Sequence, residues 1–197
     1  FCGCFIIKAD KQIVFANAGT RLGFTTEGLS DLKADLSLMC GVLPNRFKSI
    51  QKLNQTILEN IGQDLENYEL VYTGHSLGAA IADAQAADME IKLLEKGIKP
   101  KKISAITFDN PGGKIWKDKL FQEASLDPQE SVVEHIAINN RPNFINTGTL
   151  QAGQVLEIEH PKESKLNSFE LCIAKVAISI KEAIADFAPE FIIKILE

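Results

Sequence analysis

The stretch Tyr68-Glu69-Leu70-Val71-Tyr72-Thr73-Gly74-His75-Ser76-Leu77-Gly78-Ala79-Ala80 decides how this 197-residue chain is read. A serine with glycine two residues away on each side is the backbone pattern of a nucleophile elbow, a strained strand-to-helix turn that presents a serine hydroxyl above a sheet. Side chains at the two glycine positions would collide with the neighbouring strand and helix, and glycine removes the Cβ atoms that would clash. The pattern counts only in its setting, and both flanks are present. Residues 68–73 are rich in β-branched and aromatic types, and residues 79–87 are strong helix formers. Small residues at Gly78, Ala79 and Ala80 keep the first helical turn thin, so the helix N-terminus can approach the strand and offer backbone N–H groups to an anion. Ser76 therefore reads as an activated nucleophile in acyl transfer.

Composition narrows the alternatives. With 45% hydrophobic and 24% charged residues, the chain is ordinary globular material, read as one domain over residues 1–197. A net charge of −5 with no basic stripe excludes nucleic acid as a partner. The four cysteines, Cys2, Cys4, Cys40 and Cys172, show neither zinc spacing nor a disulfide framework and are expected as buried free thiols. The three histidines, His75, His135 and His160, lack carboxylates at metal-ligand spacing, so the chemistry is expected to need no metal and no cofactor. The chain opens at Phe1 in an apolar run with no methionine and no signal peptide, which leads us to expect a missing N-terminal region and leaves localisation open. The apolar region Cys172 to Leu196 is interrupted by Lys175, Lys181, Glu182, Asp186, Glu190 and Lys194. It reads as amphipathic helices broken near Pro189 rather than a membrane span.

Outward from the elbow, strands and helices alternate. Phe1 to Phe5 and Gln12 to Ala16 form an N-terminal hairpin turned at Ala9-Asp10-Lys11. Arg21 to Asp31 is polar and glycine-bearing, a long loop with the character of a lid. A helix begins at Pro44-Asn45 and carries Phe47, Ile50, Leu53, Ile57 and Ile61 at helical spacing. Beyond the elbow helix, Gly97 and Pro100 are stop signals, and Lys102 to Phe108 reads as a buried strand. The turn Asp109-Asn110-Pro111-Gly112-Gly113 leads to a short helix over Lys114 to Ala124. Strands follow at Ser131 to Ile138 and Gln154 to Glu159. The alternation predicts an α/β domain with a mostly parallel central sheet flanked by helices.

Val14-Phe15-Ala16-Asn17-Ala18-Gly19-Thr20, Asp31-Leu32-Lys33-Ala34-Asp35-Leu36, Gly74 to Gly78, and Ile106-Thr107-Phe108-Asp109-Asn110-Pro111-Gly112 occur in an order that resembles the fungal-type, or class 3, lipases of the α/β-hydrolase fold. The resemblance implies a serine ester hydrolase acting on lipid, with transient contact at a membrane surface. It also implies an oxyanion hole from the backbone N–H groups of Thr20 and Leu77, with Asp35 supporting the loop of Thr20. Ala18 stands where the family usually has arginine. In Ile138-Asn139-Asn140-Arg141-Pro142-Asn143, the usual position of the catalytic aspartate is held by Asn143. Some lipases place the acid after the strand that follows the elbow, where this chain has Asp109, so Asp109 and Asn143 are rival orienters of the base.

Histidine is the side chain best suited to take and return the Ser76 proton near neutral pH. His75 should point away from the attacking oxygen. His135 sits in an apolar strand, where a hydrogen-bonded core or surface histidine is the common outcome. His160 follows the last strand and completes the order nucleophile, acid, histidine expected of this fold. The sequence thus proposes Ser76, Asp109 and His160 as a triad. Glu134 is adjacent to His135 on a strand, so the two point to opposite faces and form no dyad.

Overall fold

The computed structural model describes residues 2–19, 43, 47–140, 146 and 150–158. These lie in one compact unit, Phe1–Ile158. The loop at Arg21 to Asp31, the helical reading of Cys172 to Leu196, and Asp35, Cys40 and Cys172 fall outside the described residues.

Strands β1 (Cys2–Ile7) and β2 (Gln12–Asn17) form the antiparallel hairpin, with Phe5 opposite Val14. Helix α1 (Phe47–Ile61) follows, and a 3₁₀ turn at Gly62–Asn67 leads into β3 (Glu69–His75). Helix α2 (Leu77–Lys96) leaves the elbow and ends at Gly97, whose φ of 66° is the left-handed cap that glycine tolerates. The remaining elements are β4 (Lys102–Phe108), α3 (Lys114–Glu123), β5 (Glu134–Asn140) and β6 (Gln154–Ile158). The sheet order is β1-β2-β3-β4-β5-β6, parallel everywhere except at β1. The α/β-hydrolase architecture expected from the sequence is therefore present. Right-handed crossovers between sequential neighbours place their helices on one face, and α2 accordingly packs on both α1 and α3.

Helix α2 is the centre of the core. Ala82, Ala86, Met89 and Leu93 face Phe15, Leu70, Tyr72 and Ala105 of the sheet. Its other side packs Ala80, Ile81, Ala84 and Ala87 against Phe47 and Ile50 of α1 and Trp116 and Phe121 of α3. The alanines explain the close approach, since a helix lined by methyl groups can be buried on nearly all sides. Phe15 and Tyr72, paired across β2 and β3, stack at 4.5 Å between ring centroids.

Strand ends shift by one or two residues at β1, β2 and β5, and two further details differ from the sequence reading. β5 begins at Glu134 rather than Ser131, because Ser131 Oγ and the Val132 N–H donate to Glu90 of α2 at 2.7 and 2.6 Å, leaving Val132 exposed. Cys2 and Cys4 are free but half-buried rather than buried. Burial still pushes the Cys2 thiol up, and pushes that of Cys4 up to about 11. No described helix is long and apolar enough to cross a membrane.

Candidate active site

Ser76 sits at the C-terminal edge of the sheet with φ 55° and ψ −130°, a conformation that L residues rarely adopt. The glycines make it fit. A Cβ on Gly74 would lie 2.2 Å from the Gly78 carbonyl oxygen, and one on Gly78 would lie 2.3 Å from the Asn17 carbonyl oxygen. These contacts are with backbone, so no rotamer change relieves them. The Ser76 N–H donates to the Phe108 carbonyl at 3.0 Å, and the Ser76 carbonyl accepts from Ala79 N–H at 2.8 Å. Ser76 occupies the N-cap position of α2, yet its side chain makes no capping hydrogen bond. Its hydroxyl is thus not diverted to the helix. Leu77, the first residue of α2, has no residue four back within the helix to accept its N–H, so the positive end of the helix lies beside the nucleophile.

Asp109 lies next to this turn, because His75 and Phe108 are register partners at the ends of β3 and β4. It too has a positive φ, 42°, and is buried. Oδ1 accepts from Asn140 N–H at 2.9 Å and from Asn146 Nδ2 at 3.0 Å. Oδ2 is 3.8 Å from His75 Nε2, beyond hydrogen-bonding distance. The local turn-stabilising job expected of an Asp in Asp-Asn-Pro-Gly belongs instead to Asn110, whose Oδ1 accepts from Gly112 N–H at 2.8 Å.

His135 is not part of this edge. It pairs in register with Ala105, three residues short of the strand end, and its Nδ1 donates to Asp83 of α2 at 2.9 Å with both groups buried. It is a core histidine. Glu134 faces the other way and pairs with Lys102 at 2.6 Å. His160, Thr20 and Asn143 lie outside the described residues, so the structure brings together Ser76, Leu77 and Asp109 and leaves the rest of the proposed site undescribed. No cluster of metal-ligating side chains occurs among the described residues. Below the elbow, burial pushes the Tyr72 phenol well above its ordinary range, and the charge of Asp88 adds to the effect.

Asp83, Asn110, Asn140 and Asn146 contribute to this region without having been singled out from the sequence. Asp83 left one signal: a carboxylate within the apolar run 79–87 has to be buried, and a buried carboxylate requires partners.

A strained serine on a strand-to-helix turn at the edge of a mostly parallel sheet defines an α/β-hydrolase. The family model for Lipase (class 3) matches residues 15–134, and the chain belongs to that family. A search of curated proteins found no match. Among solved structures, a mutant form of MDLA from Penicillium cyclopium is similar at 20% identity with a TM-score of 0.42, over 86% of this chain and 62% of that one. A fungal lipase crystal structure is similar at 18% identity with a TM-score of 0.41, over the same 86% and 62%. The chain thus spans less than two thirds of the length of either.

Proposed function

We propose that the chain hydrolyses a carboxylic ester of a lipid through an acyl-enzyme on Ser76. The observation that carries this reading is the strained Ser76, uncapped and beside a helix N-terminus, with the buried Asp109 carboxylate at the end of the adjacent strand. In the proposed mechanism His160 removes the Ser76 proton during attack and returns it to the leaving alcohol. What supports His160 as the base is its place in the chain, after the last strand, in the order nucleophile, acid, histidine. Asp109 orients the ring and stabilises the imidazolium, and the N–H groups of Thr20 and Leu77 receive the oxyanion.

A second reading, a lipase-like domain that binds lipid or protein without turnover, is favoured by Asn143 at the usual acid position. A fluorophosphonate probe separates the two, because only an activated serine is labelled. Labelling lost in Ser76→Ala, together with hydrolysis of at least one member of an ester panel of graded chain length, supports the enzyme. A folded protein that neither labels nor hydrolyses sinks it. Activity should rise with pH in a single step at roughly 6 to 7, the range of a histidine base, and His160→Ala should remove the step. If His135→Ala removes it instead, the base is misassigned. Thr20→Ala keeps the N–H and should be milder than Thr20→Pro, which deletes a donor worth about 10²-fold to 10³-fold.

A further inference from the structure

We propose that Asn110, locked to helix α2 through Asp83, is a positioning residue that sets the direction of the Asp109 carboxylate. The inference rests on the reading of Asp109 as the acid that orients the base. Asn110 is 1% exposed, and its polar groups are engaged all round. Nδ2 donates to Asp83 Oδ2 at 2.7 Å and to Thr107 Oγ1 at 2.9 Å. Oδ1 accepts from Gly112 N–H, the backbone N–H donates to Asn139 Oδ1 at 3.1 Å, and the carbonyl accepts from Gln151 Nε2 at 2.6 Å. A turn alone needs only the bond to Gly112. The bond to Asp83 does something else, because it ties the peptide next to Asp109 to the helix whose N-terminus carries Ser76. Asp83 lies about two helical turns beyond Ser76, so nucleophile and acid are held to one rigid body.

Asp83 is itself fixed. Its other oxygen takes the His135 bond, and it lies so close to the turn that a Cβ on Gly113 would sit 2.3 Å from Oδ2. A buried carboxylate with two donors and no room to move is a firm anchor. Asp109 needs one, because its φ of 42° is a conformation that persists only when the surroundings impose it. Rotation of the 109–110 peptide would change the direction of the Asp109 carboxylate.

The test is a cycle of variants read by kcat, KM and the rate of fluorophosphonate labelling of Ser76. Asn110→Ala should lower kcat and labelling by roughly 10-fold to 100-fold with KM little changed, since a misplacement of about 1 Å costs up to that much. In an Asp109→Asn background the same change should cost nothing further. Glu90→Ala, which breaks the ties of α2 to Ser131 and Val132, should lower the melting temperature while leaving kcat intact. If Asn110→Ala does not fold, an exchange carries the test. Asn110→Asp sets two carboxylates against each other, and adding Asp83→Asn restores the hydrogen bond with donor and acceptor swapped, so the pair should regain most of the lost rate. Equal loss in the single variant and the exchanged pair overturns the inference, as does an additive loss in the cycle. An impaired Asp109→Asn beside a fully active Asn110→Ala overturns this inference alone. A fully active Asp109→Asn overturns it together with the acid assignment.

Discussion

Two turns meet at one edge of the sheet, the elbow after β3 and the turn after β4, and each holds a non-glycine residue at positive φ, 55° at Ser76 and 42° at Asp109. They do so by different means. At the elbow the restraint is steric: Gly74 and Gly78 allow backbone to meet backbone at distances that no side chain permits. At the Asp109 turn the restraint is a set of hydrogen bonds from Asp83, Asn139, Asn140, Asn146 and Gln151, contributed by α2, β5 and the segments beyond it. The steric restraint is signalled within five consecutive residues, although Gly78 also meets the backbone of Asn17 in β2. A hydrogen-bonded one is written across the whole chain.

The largest expected effect tests the steric turn. Ser76→Ala should lower ester hydrolysis by about 10⁴-fold to 10⁶-fold with the fold intact, because loss of the nucleophile removes the covalent route. Ser76→Gly should be equally inactive yet melt no lower than Ser76→Ala, since glycine adopts a φ near 55° without strain. Next comes the hydrogen-bonded turn. If Asp109 orients the base, Asp109→Asn should lose about 10⁴-fold in turnover, as the corresponding change does in the serine-protease triad, and Asn143→Asp should gain little. Clear acceleration in Asn143→Asp, with Asp109→Asn unimpaired, would transfer the role to Asn143 and make the second turn purely structural.

The difference between the turns also explains what could be read in advance. The order of elements, the bounds of β4 and the elbow follow from local signals: β-branched runs, helix formers, Gly97 and the glycines around Ser76. The apolar neighbours of His135 point away from catalysis but leave core and surface open, and the structure places it in the core. Its partner did not show itself, since Asp83 lies 52 residues away on a helix that otherwise reads as plain alanine-rich packing. Likewise Asn110 serves the turn while Asp109 Oδ1 is taken by Asn140 and Asn146, partners that come long after the turn in sequence. β5 starts later than its residue pattern suggests for a similar reason, Glu90 having taken the Val132 N–H that the ladder would have used.

A smaller effect isolates the steric half. Gly78→Ala places a Cβ 2.3 Å from the Asn17 oxygen and 2.9 Å from the Gly19 nitrogen, all backbone that can move only with β2. The cost should be about 1 to 3 kcal/mol, the usual range for overpacking, read as a lower denaturant midpoint with an unchanged slope. A fully stable Gly78→Ala would mean that the elbow is held by something other than close backbone contact.

The smallest effect belongs to β1, which pairs with β2 in the hairpin, and it serves as the control for both turns. Cys4 is half-buried, and its thiol is pushed up to about 11, first by burial and then by the neighbouring Cys2. The unfolded thiol ionises near its ordinary value of 9.0, so between pH 9 and 11 the folded state holds a proton that the unfolded state has released. The native state then binds more protons, and the linkage relation makes unfolding free energy fall as pH rises through that window. The contribution is complete below pH 9 and lost above the folded value. Cys4→Ala should flatten the alkaline fall in melting temperature while leaving ester hydrolysis at neutral pH unchanged. If it instead lowers turnover as Asp109→Asn does, weakening of the sheet anywhere is enough to disturb the site, and the contrast between the two turns no longer explains the chemistry.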